Sequence, residues 1–268
     1  MSLTEPWTAA LVLFVLLGSS ALGMLVQRAL AEYHKSRETT ELVHHIVVML
    51  FTFAALVLGL LTTSVKSSFD QIDNTIRSFA VRLVELDQLL REYGSEADPI
   101  RDLLRGYVAA VIASTWTADP QPAGDNYPRQ VSRTSPYSIE NPVLQSLSNR
   151  IGRQIHQLDP MDAMHRRLAS ESISRFEDLM QKRWALVEQA HHSISAPFYL
   201  VLVFWLVVVF ASFGLTAPRT LFAYTALAAG AISIASAMFV ILDMDRPFAG
   251  IFTVPSQPMR DALMYLSR

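Results

Sequence analysis

Apolar residues follow two patterns along this chain of 268 residues. Four stretches are apolar almost without interruption for about 20 residues, the length that crosses the hydrocarbon core of a bilayer as a helix. They run from Trp7 to Val26, Ile46 to Val65, Phe198 to Leu215 and Leu221 to Leu242. After the second, the spacing changes: Ile72, Ile76, Phe79, Leu83, Leu86 and Leu90 recur every three or four residues, the seam of an amphipathic helix in a bundle. From His44 to Leu90 there is no proline and a single glycine, Gly59. One helix is therefore expected to begin in lipid and end in water.

Turn residues divide the rest. Gly94 and Ser95 close the long helix, and Asp98-Pro99 opens another with the stripe Leu103, Leu104, Tyr107, Val108, Val111 and Ile112. Between Thr117 and Pro142 the composition shifts to Pro, Gly, Asn, Ser and Asp, which predicts a mobile loop. A third helix outside the membrane is predicted from Asn141-Pro142 to Leu158, and a fourth from Asp159-Pro160 towards Ser195. The polar connection Arg28 to His45 makes the first two spans a hairpin, and the short turn Thr216 to Thr220 makes the last two another. Small residues on the first span (Gly18, Ser19, Ser20, Ala21, Gly23) and on the fourth (Ala226, Ala229, Gly230, Ser233, Ser236, Ala237) suit close helix packing. The expected fold is an all-α polytopic membrane protein, with four transmembrane helices and a helical bundle outside the membrane. Its parts are a hairpin at 1–65, a helical domain at 66–196 with an excursion near 117–142, a hairpin at 197–242 and a tail at 243–268.

Composition agrees with this division: 51 % of residues are hydrophobic and 17 % charged, too apolar for a soluble domain and too charged for one wholly in lipid. The segment before Trp7 carries Glu5 and no basic residue, so the first run reads as a retained span and not a cleaved signal. A formal charge of −2 with scattered basic residues argues against a nucleic-acid partner. With no cysteine there is no disulfide, thiolate nucleophile or cysteine-held metal. No phosphate loop, dinucleotide fingerprint or zinc-protease motif is present, and no serine has a recognisable paired base, so an enzyme is not expected, nor a cofactor.

No Asp, Glu, Lys, Arg or His lies in the central part of any span. Proton-coupled pumps and many ion-coupled transporters need such groups at membrane depth, whereas a pore with an apolar constriction does not. The second span can supply that constriction. On a helical wheel Thr52, Leu56, Leu60, Thr63 and Ser67 share one face, with Gly59 at its edge. Around a symmetric oligomer the two leucines would form a dewetting gate and the hydroxyls would meet permeating ions. Spacing alone favours the plainer account, packing against helices of the same subunit. The pairs His44-His45 and His191-His192 fit interfacial positions better than metal or haem ligation, since adjacent helix residues point about 100° apart. Asp243 and Asp245 read as a solvated helix end before Pro247, and no metal site is assigned.

The strings VLGLLTTSVKSSFD, FWLVVVFASFGLTAPRT and ILDMDRPFAGIF, in this order within an early hairpin, a central helical domain and a late hairpin, resemble the bacterial bestrophin-like membrane proteins over nearly the whole chain. These are distantly similar to bestrophins, pentameric anion channels whose second helix carries an apolar neck. Leu56, Gly59 and Leu60 match that neck, while Thr52 replaces its outermost bulky residue. Lys66, Ser67 and Ser68 stand where bestrophins carry an aromatic pair, and only Asp243 and Asp245 hint at their acidic calcium clasp. The resemblance implies a homo-oligomeric channel, a pentamer by analogy, that passes small anions across a bacterial inner membrane with both termini cytoplasmic. Charge by itself leaves the orientation even. The rival expectation is a non-conducting, membrane-anchored scaffold or sensor that docks a protein partner through its helical domain.

Overall fold

A computed structural model describes residues 4–29, 37–123, 127, 142–191, 196–218 and 220–268. It is 85 % helical, with eight helices and no strand among the described residues. These are α1 (Thr4–Ala29), α2 (Arg37–Tyr93), α3 (Asp98–Thr115), α4 (Pro142–His156), α5 (Ala163–His191), α6 (Ala196–Thr216), α7 (Leu221–Met244) and α8 (Gln257–Leu266). Four of them, α1, α2, α6 and α7, are long and apolar enough to cross a membrane. The chain divides into two compact units: residues 1–67 with 193–246, and residues 68–192 with 247–268.

In the membrane unit α1 packs against α6 and α7. The contact with α6 is closer than side chains permit. A Cβ on Gly23 would lie 2.1 Å from the Ala211 carbonyl oxygen, and one on Gly214 would lie 2.0 Å from the Ser20 carbonyl oxygen. Lipid supplies no hydrophobic force between helices, so such backbone approach is how dispersion holds them together. Of the small residues on α1, Ser20 and Gly23 therefore meet α6, while Gly18 faces open space. Val12, Leu16, Ala54, Leu202, Leu206, Phe210, Ala231 and Met238 fill the core of this unit.

In the helical unit the water-side half of α2 buries all six seam residues from Ile72 to Leu90, together with Leu104, Tyr107 and Ile112 of α3, Leu144, Ile151 and Ile155 of α4 and Leu179 of α5. Gly94 ends α2 with φ 110°, a conformation that glycine adopts without strain. One 3-10 turn, Ser95–Ala97, leads into α3, whose Pro99 sits in the first turn. Asp87 is buried at the α2–α3 contact, where it accepts from Arg101 Nε at 2.9 Å and Arg91 Nη2 at 3.1 Å. The segment after α7 docks on the end of α3. Trp116 Nε1 donates to the Val254 carbonyl at 2.7 Å, the Phe248 ring meets the Trp116 ring edge-on, and Arg260 Nη2 donates to the Pro120 carbonyl at 2.7 Å.

Local differences from expectation have local causes. Residues 37–45, expected as part of a polar connection, already belong to α2, because nothing between Arg37 and Tyr93 breaks a helix. Helix α5 begins at Ala163, and its cap is Asp162, whose Oδ1 accepts from the His165 backbone N–H at 2.8 Å. Asp243, expected at a solvated helix end, is buried. Most of the 117–142 excursion, together with His192, lies outside the described residues.

Candidate functional site: the exposed face of the second helix

Helix α2 is 57 residues long, about 85 Å at 1.5 Å per residue, against a hydrocarbon core of about 30 Å. Its membrane half is the least buried of the four spans. Only 11 % of its apolar window is covered by the protein, against 28 % for α1 and α6 and 22 % for α7. Ala54 faces the membrane unit's core, with Val57, Leu58 and Leu61 packed against it, and the opposite side is exposed among the described residues.

All six residues singled out on the wheel lie on exposed surface. Leu56 and Leu60 are 58 % and 63 % exposed, and Thr52, Gly59, Thr63 and Ser67 are exposed with them. A Cβ on Gly59 would touch nothing within 4 Å. The unbroken helix keeps these residues on one face, but exposure is broader than that face: Thr62 and Phe51, about a third of a turn round, are open as well. Met49, on the same face one turn beyond Thr52, is a further exposed apolar residue that the sequence reading left out, although its spacing of seven from Leu56 gave the signal.

The hydroxyls have a defined state. Thr52 Oγ1 donates to the Val48 carbonyl at 2.8 Å and Thr63 Oγ1 to the Gly59 carbonyl at 3.0 Å. Each proton is held by the helix's own backbone, which leaves the oxygen lone pairs available as acceptors. Beyond Ser67 the same face continues in water with Asp70 and Asn74, both exposed, and Lys66 lies at its edge. The face thus reads hydroxyl, leucine, leucine, hydroxyl, hydroxyl, carboxylate from one end to the other.

At the other end of α2, His44 and His45 are exposed, with ring centroids 6.2 Å apart, and His45 Nδ1 lies 2.6 Å from the Glu41 carbonyl oxygen as its donor. Among the described residues no group of three or more His, Cys, Asp or Glu side chains converges as a metal site would need.

Comparison with known proteins bears on the whole chain. A bacterial bestrophin homologue from Klebsiella pneumoniae, solved with single substitutions, aligns over 100 % of both chains with a TM-score of 0.69 at 13 % identity. Another variant of that homologue aligns over 96 % of this chain and 97 % of its own, with a TM-score of 0.64 at 13 % identity. A further structure described as a membrane protein covers 97 % of each chain, with a TM-score of 0.64 at 12 % identity. Comparison with curated proteins gives no match. At these identities the structures establish a shared fold. Residues 13–259 match the Bestrophin-like domain, a membrane-protein family and not an enzyme family. This chain belongs to the bestrophin-like family of membrane proteins.

Proposed function

We propose that the protein is a homo-oligomeric ion channel whose pore is lined by α2, with Leu56 and Leu60 as an apolar neck and Thr52, Gly59, Thr63 and Ser67 beside it. One observation carries the reading: the span least covered within its own protomer presents a file of hydroxyls and leucines that runs unbroken into water. A helix facing only lipid gains nothing from that file of hydroxyls. Placed round a common axis, the leucines exclude water until they part, and the hydroxyls replace part of an ion's hydration. By analogy with the family, the oligomer is a pentamer in a bacterial inner membrane, with both termini and the helical unit on the cytoplasmic side.

The sign of the permeant ion rests on different grounds. Family resemblance implies small anions. The face itself supports a cation in the observed rotamers, because Thr52 and Thr63 offer lone pairs and Asp70 adds a carboxylate at the water end. An anion requires those hydroxyls to turn outward, a change about one side-chain bond. Purified oligomer in planar bilayers should conduct. In a potassium chloride gradient, a reversal potential at the chloride equilibrium value supports anion permeation, and one at the potassium value replaces it with cation permeation. An intact oligomer that passes no current at any pH, voltage or calcium concentration overturns the channel. One stoichiometric protein partner together with a plugged axis would then favour the scaffold.

A further inference from the structure

Helices α4 and α5 flank an open groove of about 580 Å³ in the helical unit, within the range of about 300–1,000 Å³ that small-molecule sites occupy. Its two walls differ, because each helix turns a different stripe towards it. Phe176, Met180 and Trp184 of α5 recur every four residues and form an apolar wall. Phe176 is 8 % exposed and makes the floor, where Gly152 of α4 admits it: a Cβ on that glycine would stand 2.7 Å from the Phe176 ring. Trp184 is 55 % exposed, so its indole stands open at the rim. The α4 wall is polar, and no residue lining the groove is acidic. Asn149 Oδ1 accepts from Gln145 Nε2 at 3.0 Å, which leaves the Asn149 amide nitrogen to donate elsewhere. Arg153, one turn further along and exposed, adds a guanidinium with its fork of N–H donors and a full positive charge.

We propose that this groove binds a small organic monoanion of the aryl carboxylate class, its ring laid against Trp184 and Met180 and its carboxylate held by Arg153 and Asn149. Charge chooses the sign of the ligand. A cation would meet Arg153 with no carboxylate in the lining to offset the repulsion. The walls choose its shape. Guanidinium and carboxylate match in a planar, two-point geometry, and a flat ring gains most from an open indole, since aromatic pairs contribute beyond the area they bury. An inorganic anion would leave the aromatic wall wet, and a neutral hydrocarbon would make no use of the donors opposite it. Residues of α4 and α5 alone build the site, so it does not depend on the pore assigned to α2.

Calorimetric titration of the full-length protein in detergent with 2-naphthoate, read against detergent alone, provides the test. Wild type should show saturable binding of one 2-naphthoate per protomer. The neutral 2-naphthalenemethanol, which keeps the ring and lacks the charge, should bind at least about tenfold more weakly. Arg153→Gln, at an exposed position, should raise the Kd for 2-naphthoate about tenfold. Trp184→Ala removes the stacking surface and should weaken binding by a similar factor, and Trp184→Leu serves in its place if the alanine variant does not fold. Uptake of 2-naphthoate no greater than that of detergent overturns the proposal, as does equal affinity for the alcohol, or a Kd unchanged by substitution at both positions. A wild-type oligomer that binds none, while Trp184→Asp releases its protomers, overturns it too and makes a second copy of this chain the occupant.

Discussion

The two halves of α2 are one continuous helix with opposite fates. From Lys66 to Tyr93 the apolar seam is covered, while Val81 on another side stays exposed: Ile72, Ile76, Phe79, Leu83, Leu86 and Leu90 are buried against α3, α4 and α5, and Asp87 is held by two arginines. From Glu41 to Val65 the helix is more apolar and far less covered, and Leu56 and Leu60 stand open. Apolar residues in water must find partners within their own chain, whereas those in a bilayer can be satisfied by lipid or by further subunits. Burial in one protomer therefore identifies stability residues in the water half, and the exposed membrane half is the surface on which the proposed assembly and pore depend.

The sharpest way to break this contrast lies outside α2, in the packing that holds the membrane unit together. Gly23→Leu forces a side chain into the α6 backbone, which no rotamer relieves, and it should abolish folded protein as judged by size-exclusion yield in detergent. Leu83→Ala, in the water half, should cost about 2–5 kcal/mol in denaturant unfolding. Asp87→Ala removes the partner of Arg101 and Arg91 and should cost about 1.5–3 kcal/mol, with a double-mutant cycle against Arg101→Ala showing strong coupling. Leu56→Ala should change stability by less than about 0.5 kcal/mol while raising channel open probability. If Leu56→Ala destabilises as much as Leu83→Ala, the two halves do not differ as argued.

A smaller effect concerns pH. The His165 backbone N–H, followed by the His165 side chain, holds the Asp162 carboxyl below its ordinary range. Its contribution to stability is therefore complete above the ordinary carboxylate pKa of about 4 and is lost as pH falls through the lower folded value. Asp162→Asn should flatten that part of the acid-unfolding profile without altering stability at pH 7 by more than the loss of one cap.

Much of the fold was legible because its signals are local. Unbroken apolar runs gave the four spans, and a spacing of three and four gave the α2 seam, every member of which is buried. Pro99 and Gly94 marked ends that the backbone respects. What stayed hidden depends on residues far apart in the chain. Nothing near Gly23 names Gly214 as its counterpart, and nothing near Trp116 indicates that its indole will meet the Val254 carbonyl. Asp162 was overlooked as a cap because Asp159-Pro160 is the louder signal three residues earlier. The α2 face could be listed from its spacing, but in the proposed channel what it looks at is a property of several copies, which a single chain presents only as uncovered surface.

The chain's lack of cysteine makes the most direct test simple, since any single introduced thiol is unique. Thr62 and Thr63 are adjacent, both exposed, and point to different sides of α2. The decisive measurement is the current through Thr63→Cys and Thr62→Cys channels in planar bilayers, before and after a charged, membrane-impermeant thiol reagent. If α2 lines the pore through the Thr52 to Ser67 face, the reagent changes the current of Thr63→Cys and leaves that of Thr62→Cys as it was. Equal responses from both, or a response from Thr62→Cys alone, would contradict that assignment.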